Sequence, residues 1–400
     1  MRASNRYLTE VSPRESVTRW RTGNDHEGIS QRIAIPGILA ACLILGACSS
    51  STTTNASSSS SSTATSSAIS GSSSVAPVSA TITIAAVGSI DGTSFFTALH
   101  NGIFHKWGLN AKIIVEPTGV EVMNEVAAGA AQFGDVGVDP LLTSVAKGIP
   151  LRIIADNHGS AVLPYYAENQ AIVAGPHSGI SPGNIASLKG KTIGVALNTD
   201  AVGYLQSLLQ AQHLTLSDVH LVNLAPPDGV TALARGSVDA IATFEPWPSA
   251  ALQQVPGSKL VIEDSAKTWY DPGVIVSSNS YLSSHKAVTE AFLAAVAQSE
   301  SYVRAHLSTG ATIATQYITG LQLAVAQRAI KHVTFDMRMS KLVTSGLQNY
   351  MVPFLENTKA ITGTFNLSSA INTSYMVALQ KADPQFFSDL PPIPASAQLP

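Results

Sequence analysis

Cysteine is nearly missing from this 400-residue sequence: there are two, Cys42 and Cys48, and none follows. The body beyond them therefore has no disulfide, no thiolate metal site and no cysteine nucleophile. An excess of basic charge is missing as well. Residues 1–47 hold six of the 23 Lys and Arg and four of the 26 Asp and Glu, leaving 17 basic against 22 acidic residues and a formal net charge of −5 from residue 48 onward. No basic patch suggests nucleic acid as a partner. Long apolar runs are also lacking. The run from Ile33 to Ala47 is about fifteen residues and is broken by Pro36, whereas a helix spanning hydrocarbon needs about 20. No nucleophile elbow and no pair of histidines at metal-ligand spacing is visible, so no catalytic residue, metal or other cofactor is expected.

What is present starts at that short run. Arg32 precedes it and small residues close it, the layout of a secretory signal. Leu45-Gly46-Ala47-Cys48 resembles the lipobox of bacterial lipoproteins, in which the peptidase cuts before the cysteine and a diacylglycerol is attached to its sulfur. Residues 1–47 would then be the signal peptide and Cys48 the lipidated first residue of the mature chain. The other reading is an ordinary signal cut at an Ala-x-Ala site, with Cys48 incidental. The first thirty residues are long for a charged leader, which leaves the translation start open. Residues 48–80 are mostly Ser and Thr, with too little to bury to offset their ordering entropy. They are expected to form a disordered tether with a mean reach of about 30 Å.

The remaining 320 or so residues exceed what one core usually serves, so two lobes are expected. "TITIAAVGS" (81–89) reads as a buried strand, and its glycine loop leads into the helical "SFFTALHNGIF". A second strand, "GLNAKIIVEPTG", and a helix ending at Gly129 follow. From residue 191 the same order of events recurs. "GVEVMNEVAAGAAQFGDVGVDP" and "GVTALARGSVDAIATFEP" share a Gly-Val entry, a helix, a terminal glycine, an aspartate, a small-residue strand and an acid-Pro end, with Gly129 and Gly236, and Pro140 and Pro246, 107 and 106 residues apart. An echo at that period predicts two similar βαβ lobes facing one another across a cleft, with ligands at the carboxyl ends of parallel strands. From about Ser283, with Ser284 as N-cap, helical spacing predominates and predicts a segment that packs back on the first lobe. The expected division is residues 81–172 and 275–390 for lobe 1, 173–274 for lobe 2, and 391–400 as a loose tail, with crossings near 169–176 and 270–278.

"LHNGIFHKWGLNAKI", "VAAGAAQFGDVGVDP", "VAKGIPLRIIA", "SLKGKTIGV", "LARGSVDAIATFEPWPSAAL" and "GVIVSSNSYL" follow in order a pattern that resembles substrate-binding proteins of ABC importers for nitrate, sulfonates, taurine and thiamine-pyrimidine precursors, the NMT1/THI5-like family, over roughly residues 80–335. The resemblance implies an α/β fold of the periplasmic-binding-protein type II, or Venus-flytrap, class. It also implies a monomeric, non-enzymatic receptor outside the cell membrane that passes one small solute to a membrane permease and its ATPase, with contact to the membrane only through the lipid.

Carried over residue by residue, the resemblance places ligand loops at Ser89, Asp91, Gly92 and Thr93, at Val138 and Asp139, at His158 and Gly159, at Asn198, Thr199 and Asp200, and at Thr243, Glu245 and Trp247. Loops entering helices offer free backbone N–H groups, and glycine lets the backbone come close. Each residue has a plainer reading. Asp91 and Asp200 serve equally as helix caps, His158 as a structural histidine, Glu245 and Trp247 as a strand end with a packed indole, and Thr93 and Ser94 as a helix start. Tyr165, Tyr166, Trp269 and Tyr270 can be core or hinge packing. These loops hold Asp91, Asp139, Asp200 and Glu245, with Asp228 nearby, and no Lys or Arg. A bare anion would meet several carboxylates in a partly dry cleft, so nitrate ranks low and a solute bearing an amine or ring nitrogens, such as taurine or an aminopyrimidine, ranks high. Two rivals stand beside the receptor: an enzyme of thiamine-pyrimidine synthesis on the same fold, and a sensor that transports nothing.

Overall fold

The structure, a computed structural model, describes residues 75–159, 161–162, 169–263, 269–270 and 272–400. The signal peptide, Cys48, the tether up to residue 74, Tyr165 and Tyr166 lie outside the described residues. Among the described residues ten strands form two sheets. The first contains β1 (Ala80–Val87), β2 (Leu109–Glu116), β3 (Phe133–Gly137) and β4 (Leu151–Asp156). The second contains β5 (Gln170–Ala174), β6 (Thr192–Val195), β7 (His220–Asn223), β8 (Ala240–Phe244) and β9 (Lys259–Glu263), and β10 (Gly273–Ser278) returns to the first.

The strand orders are β2-β1-β3-β10-β4 and β7-β6-β8-β5-β9, which superimpose term by term. In each sheet the first three strands are parallel, as the βαβ reading requires. The strand that arrives from the other lobe, β10 or β5, is antiparallel to both neighbours. The sheets are thus mixed rather than wholly parallel, because a strand entering after an excursion through the other lobe is not constrained to the crossover that βαβ units impose. The chain changes sheets between Asp156 and Gln170 and between Glu263 and Gly273. Division by sheet therefore falls slightly before residues 173 and 275, because β5 and β10 each belong whole to one sheet.

The sequence echo has a backbone counterpart. Gly129 and Gly236 both take positive φ, +76° and +66°, just after equivalent helices, Gly119–Ala127 and Pro226–Ala234. A left-handed residue ends each helix and turns the chain into β3 or β8.

The C-terminal helices cover the first sheet. The Lys286–Ala305 helix buries Phe292, whose ring stacks on Phe133 of β3 at 3.8 Å, and Ser299 Oγ donates to the Ser94 carbonyl at 2.6 Å. Ser284 is not its N-cap. Ser284 ends the preceding Asn279–Ser284 helix and its Oγ donates back to the Ser280 carbonyl, so the cap position falls to His285. Trp269 and Tyr270 are packing residues: Trp269 meets Phe354 edge to face at 4.8 Å, and Tyr270 Oη donates to the Val343 carbonyl at 3.2 Å. Gly346 admits the Tyr270 ring, since a Cβ there would lie 2.3 Å from it. Within 391–400, Ala397 is buried and Leu399 packs on the core.

Candidate functional site

The loops at the carboxyl ends of the parallel strands meet between the two sheets, where ligands of open α/β sheets bind. Ser89 and Asp91 follow β1, Asp135 lies in the buried part of β3, His158 follows β4, Asn169 precedes β5, and Asp200 begins the helix Asp200–Gln210 after β6. Together they line a cavity of about 30 Å³. The lobes touch around it. Ile90 N–H donates to the Glu245 carbonyl at 3.3 Å, and Asp200 lies so close to Gly137 that a Cβ at 137 would be 2.8 Å from the Asp200 Cγ.

A hydrogen-bond chain fixes these side chains. Asp156 Oδ1 accepts from the backbone N–H groups of Asn157 and His158, at 2.7 and 3.0 Å, which shapes the turn after β4. Gly273 N–H donates to His158 Nδ1 at 2.8 Å, so the ring proton sits on Nε2 and is donated to Asp91 Oδ2 at 2.6 Å. Asn157 Nδ2 donates to Asp135 Oδ1 at 3.0 Å, and Gln170 Nε2 to Asp200 Oδ2 at 2.5 Å. Among the described residues the carboxyl and amide oxygens left without a partner here include Asp91 Oδ1, Asp135 Oδ2 and Asn169 Oδ1, which line the cavity, and Asn157 Oδ1 one residue from His158; the Ser89 hydroxyl in the lining is unpartnered too. Such groups cost free energy unless something pairs with them. What the carboxyl and amide oxygens lack is N–H or O–H donors.

Burial raises the Asp135 carboxyl well above its ordinary range. Its neighbour Asp91 adds to this and Asp200 less so, while the His158 ring and the Asn157 amide pull the other way. Asp139 is pushed up to about 7 by burial and then by Asp200, against a hydrogen bond from Thr143. Glu245 is raised by burial, opposed by Ser249, His332 and Arg328. The cleft therefore holds several carboxyls for which burial outweighs the opposite charges nearby. Among the described residues no three of the acidic and histidine groups converge as metal ligands would.

The raised Asp139 carries a pH signature. Between about pH 4 and about pH 7 the folded chain keeps a proton there that the unfolded chain has lost, so this contribution is full below that window and disappears across it as pH rises. Asp139→Asn is expected to leave the melting temperature unchanged near pH 4 and to raise stability above pH 7 by about 2 kcal/mol, half the full three-unit value because the group is half-buried. Thermal melts at the two pH values check this, and equal effects at both would refute it.

The structure brings together Ser89, Asp91, His158 and Asp200 of the expected residues. Asp139, Asn198 and Thr199 line a second, adjacent cavity. Others have structural surroundings. Thr93 Oγ1 donates to the Ile90 carbonyl, Gly92 faces Phe96, and Val138 is core. Gly159 has φ +92° and lies against Thr334. Glu245 Oε1 and Oε2 accept from Ser249 Oγ and N–H at the start of its own helix, and Trp247 packs half-buried against the core. Thr243 is buried with its Oγ1 unpartnered and does not line the small cavity.

Sequence reasoning missed Asp135, Asn157 and Asn169. Asp135 had a readable signal. It pairs with Ile275 of β10, and the equivalent residue of the second sheet, paired with Ile172 of β5, is Ala242. A carboxyl in mid-strand where the twin strand carries alanine does not serve the sheet. The two asparagines flank the crossing, where no periodicity marks them.

A family model described as NMT1/THI5 like matches residues 89–308. A Bacillus subtilis (strain 168) protein named for binding aliphatic sulfonates is 23% identical over 276 residues, 68% of this chain and 79% of that one. A Haemophilus influenzae protein named for thiamine biosynthesis is 27% identical over 54% of this chain and 66% of its own length. Among solved structures, the alkanesulfonate-binding protein SsuA from Xanthomonas axonopodis pv. citri, bound to MOPS, superimposes with a TM-score of 0.65 at 18% identity, covering 75% of this chain and all of that one. That likeness shows the two-lobed fold.

Proposed function

The chain belongs to the NMT1/THI5-like family, and from that premise we propose that it is the extracytoplasmic solute receptor of an ABC importer, closing on a small solute that carries an amine or ring N–H donors. The lobes hinge about the two crossings, the solute binds one lobe first, and contacts from the other stabilise closure, so the solute shifts the population only by its preference for the closed form. The receptor presents its cargo to a permease driven by an ATPase, acts as a monomer, and is moored to the outer face of the membrane by a diacylglycerol on Cys48 and the Ser/Thr tether.

One observation carries the solute class: the unpartnered carboxyl and amide oxygens of Asp91, Asp135 and Asn169 that line one small cavity between the lobes. An ammonium or an aminopyrimidine supplies the donors that these oxygens lack, whereas nitrate adds acceptors and negative charge. An acid group on the same solute would find first-turn N–H groups at the helix starting at Asp200, whose N-cap Thr199 directs its hydroxyl to the Ala196 carbonyl instead. The pure receptor is favoured over an enzyme because neither nitrogen of His158 is free to act as a base. One accepts from Gly273 and the other donates to Asp91.

A thermal-shift screen of the purified protein tests this. Methylammonium, taurine and an aminopyrimidine are the donor-bearing probes, set against nitrate and methanesulfonate. A solute that binds only the native state raises its melting temperature by mass action. Donor-bearing solutes should do so, and the two bare anions should not. Stabilisation by nitrate or methanesulfonate alone would overturn the solute class, and turnover of any probe would overturn the receptor.

A further inference from the structure

The cavity at Asp91 and Asp135, about 30 Å³, has room for one or two water-sized groups. It can take the head of a solute and not its body. A second compartment opens beside it on three of the same loops: Val120 follows Gly119, Asp139 lies two residues beyond Gly137, and Thr199 precedes Asp200. This compartment holds about 450 Å³, within the range of small-molecule sites. Three parts of the molecule wall it: the Val138–Ala146 helix of the first lobe, the Asp200–Gln210 helix of the second, and the C-terminal Val352–Asn357 helix with Thr358. At the junction with the small cavity stand the Asp200 carboxyl and the bare backbone of Gly137, the position where any side chain would collide with Asp200.

We propose that the two compartments form one binding site for an elongated amine, whose N–H-bearing head enters the acid-rich cavity while an uncharged chain of several carbons with hydroxyl or amide groups lies in the larger one. This rests on the amine reading above and adds the length and character of the rest of the solute. The larger compartment is lined by neutral polar side chains, Thr143, Asn198 and Gln206, and by apolar Met123, Val202 and Phe354. Its one carboxyl, Asp139, keeps a proton up to about pH 7, and its one cation, Lys147, is solvent-exposed, so a second charge of either sign on the tail gains little. A neutral, amphipathic tail matches both kinds of lining.

Calorimetry with methylammonium, propylammonium and hexanolamine reads the tail directly. Each methylene buried should tighten binding by about threefold to fourfold, so hexanolamine should exceed methylammonium by at least about 30-fold. Ser144→Trp fills the compartment from the first lobe and Thr358→Trp from the C-terminal segment. In each, the ratio of the two affinities should fall toward one, and the use of two sites keeps the test decisive if one variant misfolds. A ratio near one in the wild-type protein overturns the proposal, as does a high ratio that survives both substitutions. If no amine of any length binds while a bare anion does, the amine reading itself has failed, which is a different result from a length-independent amine.

Discussion

Asp135→Asn is expected to weaken binding of an amine solute by about 30-fold or more near neutral pH, since removing one member of a buried charge pair costs about 2–5 kcal/mol. The carboxyl is fully buried, with one oxygen held by Asn157 and the other unpartnered. Burial and Asp91 raise it well above the usual carboxylate range, and an ammonium beside it would lower it again, so binding displaces a proton wherever the empty site still holds one. Two consequences follow. Wild-type affinity should rise with pH, and binding should release a proton, visible as heats that depend on the ionisation enthalpy of the buffer. Asparagine keeps the shape, cannot ionise, and should abolish both effects while changing the melting temperature little. Affinity within twofold of wild type, or a proton release that persists in the variant, would remove Asp135 from the site.

The second large effect is on architecture. Gly273→Ala places a Cβ 2.2 Å from His158 Nε2 and within 2.6 Å of two ring carbons. The imidazole must move, which breaks the contact from Gly273 N–H and the bond to Asp91 together. Overpacking and the loss of buried hydrogen bonds sum to about 3 kcal/mol, a fall in melting temperature of about 4 °C for a body of this size. The double variant Gly273→Ala with His158→Ala should be less destabilised than the two single variants added together, because the smaller side chain vacates the space the methyl needs. Strict additivity would show that the collision is relieved elsewhere.

The residues of the fold were far more legible than those of the site. Alternating apolar strands, glycine-terminated helices and the echo at 106–107 residues are local patterns, and they reach the structure as two sheets of matching order with Gly129 and Gly236 in the same backbone conformation. The loops that carry Ser89, Asp91 and Asp200 were readable because each joins a strand end to a helix start, and His158 because it follows a strand end. Asp135, Asn157 and Asn169 were not singled out. Their importance comes from which neighbours the crossing brings beside them, and no sequence spacing encodes that. Glu245 shows the converse: its acid-Pro-Trp setting reads as a cleft wall, while its carboxyl is taken up by Ser249 one helical turn away.

Sequence alone determined the two-lobed α/β plan, the family and the deficit of cationic side chains in the ligand loops, because these depend on composition and on patterns within a few tens of residues. Tertiary structure alone decided which oxygens are left without donors, which nitrogen of His158 holds the proton, and that a 30 Å³ head cavity adjoins a 450 Å³ compartment. Those depend on distances of a few ångströms between residues as far apart in the chain as His158 and Gly273, and hydrogen bonding and desolvation act only at that range.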